Sequence, residues 1–146
     1  MDNDSLLIKD QPLGRKLSLI SRDFLSLLHS KLKQTDLDRN YYALILIEKA
    51  DGNITQQELA SLLDTDKVSI VRIIDYLTEK GYVNRVANET DRRKYSLTLT
   101  AKAKQEIPTI LQTITETQNQ AFDGLNDSQI AEFYQTLHVI QQNLKR

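Results

Sequence analysis

Residues 91–100 read DRRKYSLTLT, a basic turn followed by an alternating run. One carboxylate, Asp91, precedes three consecutive cations, Arg92, Arg93 and Lys94. After the cations, apolar and hydroxyl side chains alternate, which is typical of a half-buried β-strand. The cations therefore lie in the turn at the start of a strand, and a rigid strand pair with a basic tip can reach into a nucleic-acid groove.

The apolar face of this strand consists of Tyr95, Leu97 and Leu99, and we expect all three to anchor it on a core. Residues 82–87 also have the composition of a strand, and the polar residues 88–93 separate the two. The sequence therefore predicts an antiparallel hairpin, with its second strand over 94–99.

Two short helices precede this hairpin. Thr55 and Glu58 form a capping box that opens the first, and Asp66 is placed to cap the second, which stops at Gly81. Asp64 and Thr65 make a brief turn between them. Two such helices give a helix-turn-helix, and a hairpin directly after it makes a winged helix.

Helical periodicity continues at both ends of the chain. The N-terminal pattern covers residues 12–34, a second helix follows from a cap at Asp38, and residues 1–10 read as an arm. The pattern after the wing continues over residues 101–146, broken near Gly124 and resumed by a capping box at Asn126.

The predicted fold is mainly α: a winged helix-turn-helix with a two-stranded β-hairpin wing plus N- and C-terminal dimerisation helices. Residues 1–146 form a single domain, with the DNA-binding lobe over about 38–100 and the dimerisation helices over about 12–34 and 101–146. The helix predicted from about residue 100 to 123 would be about 35 Å long, which is longer than a compact winged helix needs. Its apolar stripe must then be buried against other helices, including those of a second copy, and this predicts a homodimer. A monomer that folds both ends into one bundle is the alternative.

Composition excludes several classes of function. The chain has no cysteine, which removes disulfides, thiolate metal sites and thiol chemistry. Its two histidines, His29 and His138, are far apart and form no metal motif, and we find no phosphate loop or catalytic constellation. We therefore expect no enzyme activity, cofactor, metal or membrane span, and a cytoplasmic location.

The basic charge is concentrated around the predicted wing. The whole chain has a formal charge of −1, but residues 66–104 contain nine cations and five acids, a net +4, which leaves −5 elsewhere. Such a localised patch favours binding to double-stranded DNA.

The second helix of the pair has the composition of a recognition helix. Its outward positions supply side chains that contact bases and phosphates: Lys67, Val68, Ser69, Val71 and Arg72. The two valines favour thymine methyl groups and hence an A·T-leaning site, although packing on a neighbouring helix is equally compatible with the sequence.

The wing tip supplies the remaining predicted contacts. Arg93 is expected to enter a narrow minor groove, aimed by a bidentate pair with Asp91. Arg92 and Lys94 are expected to contact phosphates.

The sequence resembles the MarR family of bacterial winged-helix regulators over nearly its whole length. The wing resembles that family's signature at Asp91, Arg93, Leu97, Leu99 and Thr100, and residues 57–85 resemble its helix-turn-helix. The resemblance implies a homodimer on a pseudo-palindromic operator, acting as a repressor or an activator. It also implies a small, often aromatic or phenolic, effector.

The effector site has no sequence signature. Tyr41, Tyr42 and His29 are candidates for its walls, with core or interface packing as the alternative for each. The function predicted from the sequence is a sequence-specific, ligand-responsive transcriptional repressor. The alternative is a winged helix that binds another protein instead of DNA.

Overall fold

The computed structural model describes residues 11–32, 37 and 40–146 of the chain, and it confirms the predicted winged-helix fold class. The helices of this part are α1 (Leu13–Lys31), α2 (Tyr41–Lys49), α3 (Gln56–Leu62), α4 (Lys67–Glu79), α5 (Ala101–Ala121) and α6 (Asp127–Leu144). The strands are β1 (Ile54–Thr55), β2 (Val83–Ala87) and β3 (Tyr95–Leu99). The arm predicted over residues 1–10 and the cap predicted at Asp38 lie outside the described residues.

The helix-turn-helix begins and turns at the residues that the sequence indicates. The Thr55 side chain accepts a hydrogen bond from the backbone N–H of Glu58, whose carboxylate accepts one from the N–H of Thr55. The turn predicted at Asp64 lies between α3 and α4, and Asp64 adopts a left-handed conformation there, with φ +49°. Gly81 has φ +80° and follows α4, where a residue without Cβ adopts this conformation without strain.

The sheet has one more strand than predicted. Its order is β1–β3–β2, both pairs are antiparallel, and Leu97 is opposite Ile54 on one side and Arg85 on the other. β1 contains only two residues, too few for a period-two pattern to be visible in the sequence.

One strand assignment from the sequence is wrong. Leu97 is fully buried and Leu99 partly buried, but the ring of Tyr95 is 56% exposed and does not anchor the strand. Tyr95 is the first residue of β3. Its ring lies beside the wing tip instead of over the core.

A single hydrophobic core holds the lobe together. Ile70, Ile74 and Leu77 form the buried face of α4 and belong to one cluster with Leu97 of the sheet. The same cluster extends into α1 through Leu28 and Leu32, and into α5 through Ala103, Ile107 and Ile110. Because α4 and the sheet share this core, the outward face of the helix has a fixed orientation relative to the wing.

The end of the wing is joined directly to α5. Thr100 is the N-cap of α5, and its hydroxyl donates to the carbonyl of Gly81 at 2.6 Å. Lys102 donates to the carbonyl of Lys80 at 2.9 Å, and its Nζ lies 4.3 Å from the ring centroid of Tyr82. The first turn of α5 is therefore held against the end of α4.

The C-terminal helix has little contact with the lobe. None of the 18 residues of α6, all of them described, is buried, although its apolar side chains recur at helical spacing. Its capping box is formed as predicted, between Asn126 and Gln129. Within the described part of the chain, this apolar stripe contacts Phe122 at the end of α5 and is not buried by any other element.

Candidate nucleic-acid interface

The outward face of α4 presents the predicted contact residues to solvent. Val68 is 63% exposed and Val71 is 40% exposed, so neither valine packs on a neighbouring helix of the described chain. Lys67 and Arg72 are exposed beside them. Two aliphatic and two cationic side chains thus share a surface that a DNA groove could cover.

Ser69 is the exception on this face, because its polar groups are already used by the helix cap. Its backbone N–H donates to Oδ1 of Asp66 and its hydroxyl donates to Oδ2, both at 2.8 Å. Both hydrogen bonds lower the pKa of Asp66, and the bond from the backbone N–H has the larger effect. In this geometry the Ser69 hydroxyl is left to act toward DNA as an acceptor.

An arginine that the sequence analysis did not single out fixes the position of α4. Arg85 on β2 donates from Nη2 to Oδ1 of Asp75 on α4 at 2.7 Å, and from Nε to Oε1 of Gln56 on α3 at 3.3 Å. Its side chain is only 26% exposed. Arg85 therefore connects both helices of the helix-turn-helix to the wing strand.

The wing tip carries the predicted cations. Arg92, Arg93 and Lys94 are all exposed, and the side chain of Arg93 is 92% exposed. The predicted ion pair with Asp91 is present, but in a different form: Oδ1 accepts both from Nε of Arg93 at 3.2 Å and from its backbone N–H at 3.1 Å. The carboxylate thus fixes the backbone of Arg93 as well as the start of its guanidinium, through one oxygen and not the expected two-oxygen fork.

The recognition helix and the wing border a common cleft of about 420 Å³. Of the nine predicted contact residues, three line it, namely Lys67, Arg93 and Lys94. The hydroxyl-bearing Tyr95 lines it as well. Cations from two separate elements therefore converge on one concave surface, which suits a phosphate backbone passing between two grooves.

Three residues that shape this surface were missed in the sequence, namely Arg85, Tyr95 and Asn88, whose side-chain amide bonds Thr90, Asp91 and Ser96 in and beside the wing loop. Asn88 gave the clearest signal, since an asparagine in a polar loop commonly bonds the backbone two residues on. The partners of Arg85 and the exposure of Tyr95 depend on tertiary packing, and the local pattern did not indicate them.

Two other cavities lie away from this surface. One, of about 430 Å³, is bordered by α1 and the start of α2 and includes His29 and Tyr41, two of the three candidate effector-site residues. Burial raises the pKa of Tyr41, so its phenol stays protonated and can donate a hydrogen bond. The third candidate, Tyr42, is 54% exposed and is not part of this lining.

The second cavity, of about 620 Å³, is mainly apolar and lies between α1 and the α5–α6 hairpin. Its aromatic wall is formed by Phe122, Phe133 and Tyr134, with ring centroids 5.8 to 6.4 Å apart in edge-to-face geometry. Leu17 and Ile20 of α1 face it from the other side.

The described residues contain neither a metal-site cluster nor a membrane-spanning helix. Over residues 11–32, 37 and 40–146, three or more histidine or acidic side chains are nowhere grouped as a metal site would need. In the same part of the chain, no helix has the length and apolar character to cross a membrane.

Comparison with known proteins identifies the lobe. A sequence model described as the MarR family matches residues 36–94, which contain the helix-turn-helix and the wing tip. A MarR transcriptional regulator from Methanosarcina mazei is 28% identical to this chain, with a TM-score of 0.78 over 90% of this chain and 94% of that one.

Two further structures extend the similarity over nearly the whole chain. A mutant MarR from E. coli complexed with operator DNA is 25% identical, with a TM-score of 0.82 over 96% of this chain and 99% of that one. The MarR protein from Peptoclostridium difficile is also 25% identical, with a TM-score of 0.84 over 94% and 90% of the two chains.

The family match, the winged helix and the exposed basic wing agree with one another. Of the two functions left open by the sequence, they support a DNA-binding regulator over a winged helix that binds another protein. This chain is similar to the MarR family of winged helix-turn-helix transcriptional regulators, whose model matches residues 36–94 and whose solved structures resemble nearly the whole chain.

Proposed function

We propose that the protein is a ligand-responsive repressor that binds a pseudo-palindromic operator as a homodimer. The observation that carries this proposal is the cleft in which Lys67 of α4 meets Arg93 and Lys94 of the wing. In a symmetric dimer, two recognition helices would enter successive major grooves about 10 bp apart. The similarity to a MarR complexed with operator DNA supports the same arrangement.

We assign the DNA contacts by the chemistry of each exposed side chain. Arg72 would form a bidentate contact with guanine or hold a phosphate, while Val68 and Val71 would cover thymine methyl groups. Ser69 would accept a hydrogen bond from a base amino group, because its proton is donated to Asp66.

The wing completes the footprint. Arg93, held by Asp91, would enter the minor groove, where an A·T-rich sequence narrows the groove and strengthens its negative potential. Arg92, Lys94 and Lys67 would bind phosphates, which adds affinity without specifying sequence.

The proposed homodimer is supported by the two ends of the chain. The stripe of α6 has no buried residue, and Leu13 and Ile20 of α1 are each 51% exposed. We propose that residues 12–34 and 101–146 form the dimer interface around residues 38–100, within one domain. A second copy would bury these faces, which a folded monomer leaves in water.

We also propose where a ligand acts. The cavity between α1 and α2 lies where the proposed dimer helices meet the lobe, and it offers Tyr41 and His29 together with three serine hydroxyls. A small aromatic or phenolic molecule would fit these donors and this size. Its binding would alter the spacing of the two lobes and release the operator.

Selection of genomic fragments, followed by salt titration of the best duplex, tests the proposal. Six or more phosphate contacts per dimer predict a log–log slope of about −5 or steeper. Arg93→Ala is expected to cost about 1–3 kcal/mol per half-site. If no sequence is enriched and affinity does not respond to salt, the proposed operator binding is wrong.

A further inference from the structure

The amide of Asn88 is the centre of the wing's hydrogen-bond network. Its Oδ1 accepts from the backbone N–H of Thr90 at 3.0 Å, from the Thr90 hydroxyl at 2.7 Å and from the backbone N–H of Asp91 at 3.0 Å. Its Nδ2 donates to the hydroxyl oxygen of Ser96 on the opposite strand at 2.9 Å. One side chain therefore bonds the loop on one side and β3 on the other.

These bonds lead directly to Arg93. Asn88 fixes the backbone of Asp91, and the carboxylate of Asp91 fixes both the backbone N–H and the Nε of Arg93. The loop is closed further by two backbone bonds, from Asn88 N–H to the carbonyl of Lys94 and from Lys94 N–H to the carbonyl of Asp91, both at 3.0 Å.

The chemistry of this position requires an amide. Oδ1 must accept and Nδ2 must donate at the same time, and a carboxylate or an aliphatic side chain cannot do both. The side chains of Arg92, Arg93 and Lys94 are exposed, and of the three only Arg93 forms a side-chain bond within the loop, to Asp91. Without the amide, residues 89–93 would sample many conformations, and DNA binding would have to order them again.

We propose that Asn88 is a positioning residue for DNA binding, which folds the wing in advance so that Arg93 meets the minor groove in one conformation. The inference rests on the proposed role of Arg93 in the groove. Asn88 itself need not touch DNA. It would raise the affinity for DNA, because the loop is already ordered before binding and loses less conformational entropy on binding.

A double-mutant cycle tests the inference on the full-length protein and its selected operator. We expect Asn88→Ala to weaken operator binding about tenfold per half-site in the natural background. In the Arg93→Ala background the same change should have almost no effect, because there is no guanidinium left to position. A merely structural role would give equal losses in both backgrounds.

Two more variants make the test specific. Asn84→Ala removes an exposed amide from β2, the strand that ends next to Asn88. The Asn84 side chain forms no hydrogen bond within the described part of the chain, so this change should leave affinity unchanged. Ser96→Ala removes only the Nδ2 partner and should cause a smaller loss, about threefold per half-site. It provides a measurable variant even if Asn88→Ala does not fold.

The outcomes separate the inference from the function on which it rests. If Arg93→Ala binds normally, the wing is not in the groove, and both the wing assignment and the inference are overturned. If Arg93→Ala loses affinity but Asn88→Ala and Ser96→Ala do not, the proposed function stands and the inference alone is overturned. Equal losses from Asn88→Ala in the two Arg93 backgrounds would also overturn it.

Discussion

Phe133, the α6 phenylalanine of the aromatic wall, gives the sharpest test of the proposed homodimer. Phe133 is 43% exposed and contacts Phe122 and Tyr134 within its own chain. A phenylalanine buries about 200 Å² in a protein core, so the exposed part of this ring offers roughly 85 Å² to a partner subunit.

This area sets the size of the expected effect. At about 25 cal/mol per Å², each ring contributes ~2 kcal/mol, and the two rings of a symmetric dimer contribute ~4 kcal/mol. Since ~1.4 kcal/mol corresponds to a tenfold change and alanine keeps part of the contact, Phe133→Ala should raise the dimer dissociation constant about 10²–10³-fold.

Sedimentation equilibrium over a wide concentration range would measure this constant. Gln135→Ala is the matched control, because residue 135 lies on the opposite side of the same helix and is exposed. Circular dichroism of both variants would show whether the helices remain. An unchanged dissociation constant for Phe133→Ala, or an equal loss from Gln135→Ala, would refute the assignment of this face to the dimer interface.

Three further predictions concern the helix-turn-helix. Thr55→Ala removes half of the capping box with Glu58 and should lower the free energy of unfolding by about 1 kcal/mol in urea titrations; no change in the midpoint would show that the cap is dispensable. Asp64→Gly should be about 1 kcal/mol more stable than Asp64→Ala, because φ at this residue is +49° and alanine is strained there. The ion pair of Asp64 with Lys145 is exposed, with 3.7 Å between Oδ2 and Nζ, so its loss contributes little to the difference in stability. Thermal unfolding of the two variants measures this difference. Replacing thymidine by deoxyuridine at the contacted step should weaken binding about fourfold in the natural protein, since one methyl contact is lost, but not in Val68→Ala. Equal sensitivity of the two proteins, measured by fluorescence anisotropy, would remove Val68 from the base-reading surface.

Local chemistry accounts for the parts of the fold that the sequence predicted well. The caps at Thr55, Asp66 and Asn126 are formed because their donors and acceptors lie within three residues of each other. The turn at Asp64 is local in the same way. Amphipathic periodicity marked the helices, since those of the lobe bury one face and expose the other, and α6 carries an apolar stripe.

Most of the errors concern features that depend on distant parts of the chain. β1 exists because Ile54 meets Leu97 across a sheet, and two residues carry no periodic signal of that pairing. The alternation in β3 wrongly grouped Tyr95 with the buried face, because burial at the end of a strand depends on what covers it. The geometry of the Asp91–Arg93 pair required the actual loop conformation.

The contacts of Thr100 and Lys102 couple any tilt of α5 to a movement of the whole lobe. This helix has 21 residues and spans about 31 Å, and its first turn is held against the lobe by the bonds of Thr100 and Lys102. A rotation of only about 5° about its far end would therefore carry the lobe roughly 3 Å, a full hydrogen-bond length. Under the proposed ligand response, an effector would release DNA by tilting α5, without unfolding or reshaping α4.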